Sequence, residues 1–412
     1  LGTFLARTNW KGTATMLAGL KLSHIVAGCI AVLLGYTSSV AIIFQAIDVL
    51  GASQAEANSW MLALGLGMGI SGLILSLRYR MPILTAWSTP GAALLVISLN
   101  GVAMSEAIGA FLFCGLLLTL TGITGWFERL SHLIPDTIGN ALLAGILFQF
   151  GLGIFSSMED NLPLVAVMCA TYLAGRRWFG RFAIPAVLFA GCAFCAATGA
   201  FQAGEGIDFS VAQPVFTMPA FSLPVLLGVG LPLFIVTMAS QNTPGIVTLK
   251  ASGYEPPVSA CLTVTGLTTL LLAPFGGYAF NLAAITAAIC AGPEADENPK
   301  TRYKAVVVTG VIYCVVGLLG AAVISLFLIA PKALVVTVAG LALLNTIGAS
   351  LSAALAQPEK REAALVTFMT TVSGITFLGI GAPLWALLFG IATGVVLSPR
   401  GRRSFRPIFA RR

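Results

Sequence analysis

Ser240-Gln241-Asn242-Thr243-Pro244-Gly245 sets four hydrogen-bonding side chains in a row inside an otherwise apolar stretch. Gly35-Tyr36-Thr37-Ser38-Ser39 interrupts an earlier apolar stretch in the same way. Two further breaks mix Pro, Gly and aromatic residues with polar ones: Trp87-Ser88-Thr89-Pro90-Gly91, and Pro274-Phe275-Gly276-Gly277-Tyr278-Ala279-Phe280 running into Asn281-Leu282. None of these stretches holds a Lys, Arg, His, Asp or Glu, so they offer no acid–base catalyst. They do offer hydrogen bonds to an anion. A helix N-terminus presents unpaired N–H donors and partial positive charge, and both Pro/Gly breaks read as places where a helix begins.

Each of those breaks leads into a short helical stretch. Pro90 to Asn100 and Asn281 to Ala291 are 11 residues apiece. At 1.5 Å per residue that is about 16 Å, against ~30 Å of hydrocarbon. Each therefore reads as a strand-like segment followed by a half-helix that starts in mid-membrane. Thr89 is the expected N-cap of one, with Pro90 at the first helical position, and Asn281 the expected N-cap of the other. A merely kinked helix filled with small packing residues is the alternative; the same defect in both halves of the chain favours the broken form. Ser88, Thr89, Asn281, Ser240, Gln241 and Asn242 are then the neutral hydrogen-bonding groups of one site. Tyr36, Trp87, Tyr278 and Phe280 are its aromatic contacts, and Ser38 and Leu282 complete its wall. A monoanion with an apolar or aromatic body suits these groups better than a doubly charged ion.

The elements that carry the site are membrane spans. The 412 residues are 58% hydrophobic and 9% charged, with mean hydropathy +0.96, where a soluble domain is roughly 25% charged. Fourteen apolar segments follow one another, at about 22–47, 57–77, 81–100, 104–126, 134–155, 162–175 and 183–201, then 222–249, 257–273, 275–291, 304–330, 333–355, 363–379 and 381–398. With this parse 21 of the 22 Lys and Arg fall on one side, only Lys332 on the other, and the positive-inside rule puts both termini in the cytoplasm. Seven spans repeated in tandem must insert with opposite topology. The expected fold is an all-α polytopic membrane protein built as a 7+7 inverted repeat, with strand-plus-half-helix elements in spans 3 and 10. The net charge of +7 does not point to nucleic acid, because six of the basic residues crowd into Arg400–Arg412 beside the last span. There they set topology or touch anionic lipid. The eight cysteines lie in apolar stretches and read as small packing residues; no cleavable signal peptide, metal site or cofactor is expected.

Ala86-Trp87-Ser88-Thr89-Pro90-Gly91, Ser240 to Gly245 and Asn281-Leu282-Ala283-Ala284-Ile285-Thr286-Ala287-Ala288, with Gly292-Pro293-Glu294-Ala295 after it, resemble the benzoate–proton symporter family over essentially the whole chain. The resemblance implies the fold of nucleobase permeases and related anion carriers. A core domain would take in 20–127 and 221–331, a gate domain 128–202 and 332–399, with 400–412 a basic cytoplasmic tail. It further implies a bacterial inner-membrane carrier, dimeric through its gate domains, importing benzoate with protons. Nucleobase permeases of this fold use glutamates on spans 8 and 10, where this chain has Ser240, Gln241 and Asn281. That departure argues for a substrate that brings its own negative charge.

Proton coupling is less legible. Glu106 and Asp136 lie near span ends, and His24, about one turn into span 1, is the candidate side chain; the proton travelling on the substrate carboxylate is the alternative. A carrier of another small organic or inorganic anion is the second reading within this fold. A channel would need a continuous polar lumen, whereas these breaks share one depth. An enzyme is not expected in a chain with two histidines and no Ser–His–Asp set.

Overall fold

The structure, a computed structural model, describes residues 19–127, 135–178, 180–201 and 207–397. Arg129 and the basic tail from Arg400 lie outside the described residues. Leu22–Val49 forms α1 and Gln54–Tyr79 forms α2. The start of α2 is fixed by a reciprocal cap: the Ser53 hydroxyl accepts from the Glu56 N–H at 3.3 Å, and the Glu56 carboxylate accepts from the Ser53 N–H at 2.8 Å. Strand β1 (Thr85–Trp87) and α3 (Thr89–Ser98) follow, then α4 (Met104–Thr124), α5 (Asp136–Trp178) and α6 (Ala183–Thr198). The second half runs through α7 (Leu223–Ala251), α8 (Val258–Leu272), β2 (Phe280–Leu282), α9 (Ile285–Ala291), α10 (Tyr303–Leu318), α11 (Gly320–Ile329), α12 (Lys332–Ala354), α13 (Arg361–Ser373) and α14 (Ala382–Leu397). Seven of these helices are long and apolar enough to cross a bilayer, or eight when α10 and α11, bent by 64°, count as one span.

The breaks are where the sequence puts them, with their boundaries shifted. β1 and β2 pair antiparallel, Thr85 opposite Leu282, Ala86 opposite Asn281 and Trp87 opposite Phe280. Ser88, rather than Thr89, caps α3: its Oγ accepts from the Gly91 N–H at 3.0 Å, and Thr89 and Pro90 are already helical. Asn281 is not a cap either. It sits in the middle of β2, and α9 begins four residues later at Ile285. The reason is backbone pairing, since amides at membrane depth need protein acceptors. Those of 280–283 find the Thr269 hydroxyl (Phe280 N, 3.1 Å), the Asn242 side-chain oxygen (Leu282 N, 3.0 Å) and the Leu84 carbonyl (Ala283 N, 2.9 Å). A helix starting at Asn281 would forfeit all three.

α7 widens twice into π-helical turns, Leu226–Gly230 and Met238–Asn242. Each lies just ahead of a proline, Pro232 and Pro244. A proline lacks the N–H that would reach back four residues, and its ring crowds that carbonyl. The chain answers by bonding five back: Leu231 N–H to Leu226 O and Thr243 N–H to Met238 O. α5 is broken at Asn161 (φ −155°, ψ 77°), whose side chain caps the restart by accepting from the Leu164 N–H at 3.2 Å. The chain folds back there. Gly153 lies against Val336, yet Met168 shares the surroundings of Gly191 with Leu334, two residues away on α12; an unbroken helix would separate residues 153 and 168 by ~22 Å. Residues 374–381, read from sequence as parts of two spans, instead form the β3–β4 hairpin (Thr376–Phe377 with Ile380–Gly381).

α2 packs on α10, α4 on α8, α5 on α12, α6 on α5, α13 on α14, α1 on α3 and α7 on α9. The α2–α10 contact is made by glycines, Gly65 facing Gly317 and Gly69 facing Gly310, so the backbones themselves touch. Gly67, between them on α2, leaves the space that the Phe280 ring fills.

Candidate functional site

A cavity of about 290 Å³ opens where the breaks converge. α1 contributes Gly35, Tyr36, Ser38 and Ser39; the β1–α3 junction contributes Ala86, Trp87, Thr89 and Pro90. The π-turn of α7 brings Ser240, Gln241 and Pro244, and the β2–α9 junction brings Ala283, Ala284 and Thr286. Met68 and Tyr313 sit on α2 and α10, while Leu143 of α5 and Ala342, Leu343 and Thr346 of α12 close the remaining wall. No charged side chain is among these residues.

Of the twelve binding residues expected from sequence, Tyr36, Ser38, Trp87, Thr89, Ser240 and Gln241 line this cavity. The other six are buried behind it. The Ser88 oxygens accept from the Gly91 and Ala92 N–H groups and from the Thr237 hydroxyl (3.0, 2.7 and 3.1 Å). Asn242 holds the Leu282 amide, and the Leu282 side chain is packed away from solvent. Asn281 donates from Nδ2 to the Ala279 carbonyl at 3.0 Å and keeps a buried Oδ1 with no partner among the described residues. Tyr278 belongs to an aromatic cluster with Trp60 and Phe111, and Phe280 covers Gly67. These residues shape the junctions and do not face the space between them.

The cavity's donors are neutral and available. At the start of α3 the Gly91 N–H is taken by Ser88 and Pro90 has none, which leaves the Thr89 N–H and hydroxyl without a protein acceptor among the described residues. At the start of α9 the Thr286 and Ala287 N–H groups are likewise free, as is the Thr286 hydroxyl. The Gln241 amide makes no hydrogen bond within the described protein. Beside these donors stand two rings edge to face, Tyr36 and Trp87, with centroids 4.9 Å apart. The indole N–H of Trp87 is tied to Ser39 Oγ at 2.9 Å, and Tyr36 leans on Tyr313 at 5.8 Å. The arrangement can take a small anion by its oxygens and a flat apolar body by its faces.

Ser39 and Thr286 adjoin residues that the sequence did single out. Tyr313 and Thr346 carried no signal, because each lies in a helix with other scattered polar side chains, Thr309 in α10 and Thr337, Asn345 and Ser350 in α12. His24 lies elsewhere. It is fully buried twelve residues before Tyr36 on α1, ~18 Å along the helix. The Lys21 N–H donates to its Nδ1 at 3.0 Å, so the ring proton belongs on Nε2, which meets Asp296 Oδ2 at 2.9 Å. Asp296 also accepts from Lys21 Nζ at 2.9 Å and the Thr301 hydroxyl at 2.7 Å, bonds that hold its carboxyl well below the usual carboxylate range. Arg302 completes this cluster by donating to the Ala291 carbonyl at the end of α9, 2.8 Å away.

Residues 18–396 match the benzoate membrane transport protein family, BenE. Over 374 residues the chain is 46% identical to the inner membrane protein YdcO of Escherichia coli (strain K12), covering 91% of this chain and 95% of that one. Over 392 residues it is 38% identical to the benzoate membrane transport protein of Acinetobacter baylyi, covering 94% and 99%. In fold it is similar to the transmembrane domain of a cyanobacterial bicarbonate transporter, BicA (TM-score 0.59, 15% identity, 90% of this chain and 97% of that one). It is also similar to the murine Slc26a9 anion transporter in its inward-facing state (TM-score 0.57, 11% identity, 94% and 70%). This multi-pass membrane protein, a transporter and not an enzyme, belongs to the benzoate membrane transport family.

Proposed function

We propose that the chain imports benzoate or a similar aromatic carboxylate across the bacterial inner membrane, by proton symport with alternating access. The observation that carries this reading is the lining of the 290 Å³ cavity: free neutral donors at two half-helix N-termini, two aromatic rings, and no charged side chain. The carboxylate is held by Thr89, Thr286 and the N-termini of α3 and α9, with Ser240 and Gln241 on the α7 side. Tyr36, Trp87 and Ser38 receive the ring. Ser88, Asn242, Asn281, Tyr278, Phe280 and Leu282 act from behind, holding the two junctions in register.

The 7+7 inverted repeat is supported by the pattern of packing. Counting the two arms of α5 as segments 5 and 6, and α10 with α11 as segment 11, each segment can be exchanged with the one seven later. The α2–α10 contact then becomes α8–α4, α5–α6 becomes α13–α14, α1–α3 becomes α7–α9, and the β1–β2 pair maps onto itself. In this reading the core comprises segments 1–4 and 8–11, and the gate segments 5–7 and 12–14, with both termini cytoplasmic and gate domains pairing in a homodimer. No Asp, Glu or His lines the cavity, so the coupling proton travels on the bound carboxylate, and His24 is a structural partner of Asp296.

A second reading, another small anion on the same fold, has the bicarbonate and Slc26a9 neighbours in its favour; the Tyr36–Trp87 pair favours an aromatic one. Radiolabelled benzoate uptake into proteoliposomes under an inward proton gradient tests both, with empty liposomes as the baseline because benzoic acid itself crosses bilayers. Saturable uptake above that baseline, weakened in Gln241→Ala, is expected. Uptake equal to empty liposomes from folded protein sinks the aromatic assignment.

A further inference from the structure

Most threonine hydroxyls inside the helices of this protein satisfy their hydrogen locally, although the buried Thr337 of α12 has no partner among the described residues. Thr119 and Thr121 of α4 and Thr371 of α13 each donate to the carbonyl four residues back at 2.7 Å. Thr346 of α12 does not: its hydroxyl makes no hydrogen bond to any described residue, and it lines the cavity. It is also the one polar side chain on the wall built by α5 and α12, where its companions are Leu143, Ala342 and Leu343. The free donors of the half-helix junctions, Thr89 and Thr286, stand on other elements, β1–α3 and β2–α9. A free hydroxyl in an otherwise apolar wall is unexplained by packing.

We propose that Thr346 reads the ring edge of the substrate, and that the site takes benzoates carrying a hydroxyl meta or para to the carboxylate. The proposal rests on the carboxylate reading given above. With the carboxyl group seated at the α3 and α9 N-termini and the ring beside Tyr36 and Trp87, the remote ring edge points to the α5–α12 wall. There an unsubstituted ring meets Leu143, Ala342 and Leu343 and leaves the Thr346 hydroxyl unmatched. A ring hydroxyl gives it both a donor and an acceptor, and a neutral hydrogen bond is worth about tenfold in affinity. Threonine to valine keeps the shape of the wall and removes only this partner.

The test is direct binding of benzoate, 3-hydroxybenzoate and 4-hydroxybenzoate to the purified full chain, wild type against Thr346→Val and Thr346→Ser. In the wild type at least one hydroxybenzoate is expected to bind as tightly as benzoate or more so. In Thr346→Val the ratio of hydroxybenzoate to benzoate affinity should fall about tenfold, and Thr346→Ser, which keeps the hydroxyl, should restore it. An unchanged ratio in Thr346→Val, with benzoate still bound, overturns the role of Thr346 and leaves the carboxylate reading standing. Failure of wild-type protein to bind benzoate or either hydroxybenzoate overturns the carboxylate reading, and this proposal falls with it.

Discussion

Gln241 and Asn242 are neighbours in one π-turn, and the structure assigns them opposite duties. Asn242 is fully buried, and its Oδ1 accepts from the Leu282 N–H at 3.0 Å. Asn242→Ala leaves that amide unpaired at membrane depth, a loss of about 1–3 kcal/mol that corresponds to a melting temperature lower by a few degrees. Gln241 has no partner within the described protein and faces the cavity. Gln241→Ala should therefore change stability by less than about 0.5 kcal/mol. If its amide donates to the substrate carboxylate, removing it costs about 1.5–3 kcal/mol of binding, roughly 10- to 150-fold in Kd. Thermal melting in detergent and calorimetric titration with benzoate separate the two. The reasoning is refuted if Asn242→Ala melts like wild type, or if Gln241→Ala loses stability while keeping its affinity.

Gly67→Ala would drive a methyl group into the Phe280 ring. The overpacking should cost about 1–3 kcal/mol, and transport should fall with stability in the same variant; Phe280→Leu in that background should recover part of both. Leu143 lines the 290 Å³ cavity and a second one of about 240 Å³ that reaches Asp136 and Asn140. Trimming it in Leu143→Ala is expected to speed benzoate counterflow at least severalfold, Leu143→Trp to stop it, and equal rates in the two would remove Leu143 from the path. Asp296 has a folded-state pKa below its unfolded value near 3.9. Its contribution to stability is thus complete above that value and disappears as pH falls through the folded one. Wild-type melting should drop below about pH 4, and Asp296→Asn should melt lower and lack that drop. His24→Gln should keep gradient-driven uptake, whereas its loss in folded protein would return the proton to His24.

The breaks were legible because they violate the rule of the membrane: polar runs and Pro/Gly pairs stand out against helices that otherwise carry only scattered polar side chains. What those breaks become was not. Whether Asn281 caps a helix or sits in a strand depends on Thr269, Asn242 and Leu84, acceptors contributed by three other elements. Thr89 lost the cap to Ser88 by one residue for a local reason, since both types cap well and only the backbone decides which is non-helical. Tyr278 and Phe280 looked like ring contacts because they are aromatic and adjacent to the break. Their burial follows from Gly67 and from Trp60 and Phe111, which lie far off in sequence. Thr346 shows the opposite failure. A hydroxyl in a span is ordinary in sequence, and only its missing hydrogen bond together with its place on the cavity wall makes it notable.

The β1–β2 ribbon also has a consequence in time. Its two strands are separated by about 195 residues of chain, and at ~5–20 residues per second a ribosome needs roughly 10–40 s to bridge them. Throughout that interval Thr85–Trp87 has been made and its partner has not. An unpaired strand is costly in hydrocarbon, so during synthesis of the first half the β1–α3 segment lacks the hydrogen-bond partners of its folded place. The first half therefore cannot complete this ribbon on its own. The cavity between the two junctions is complete only once the second half closes the ribbon.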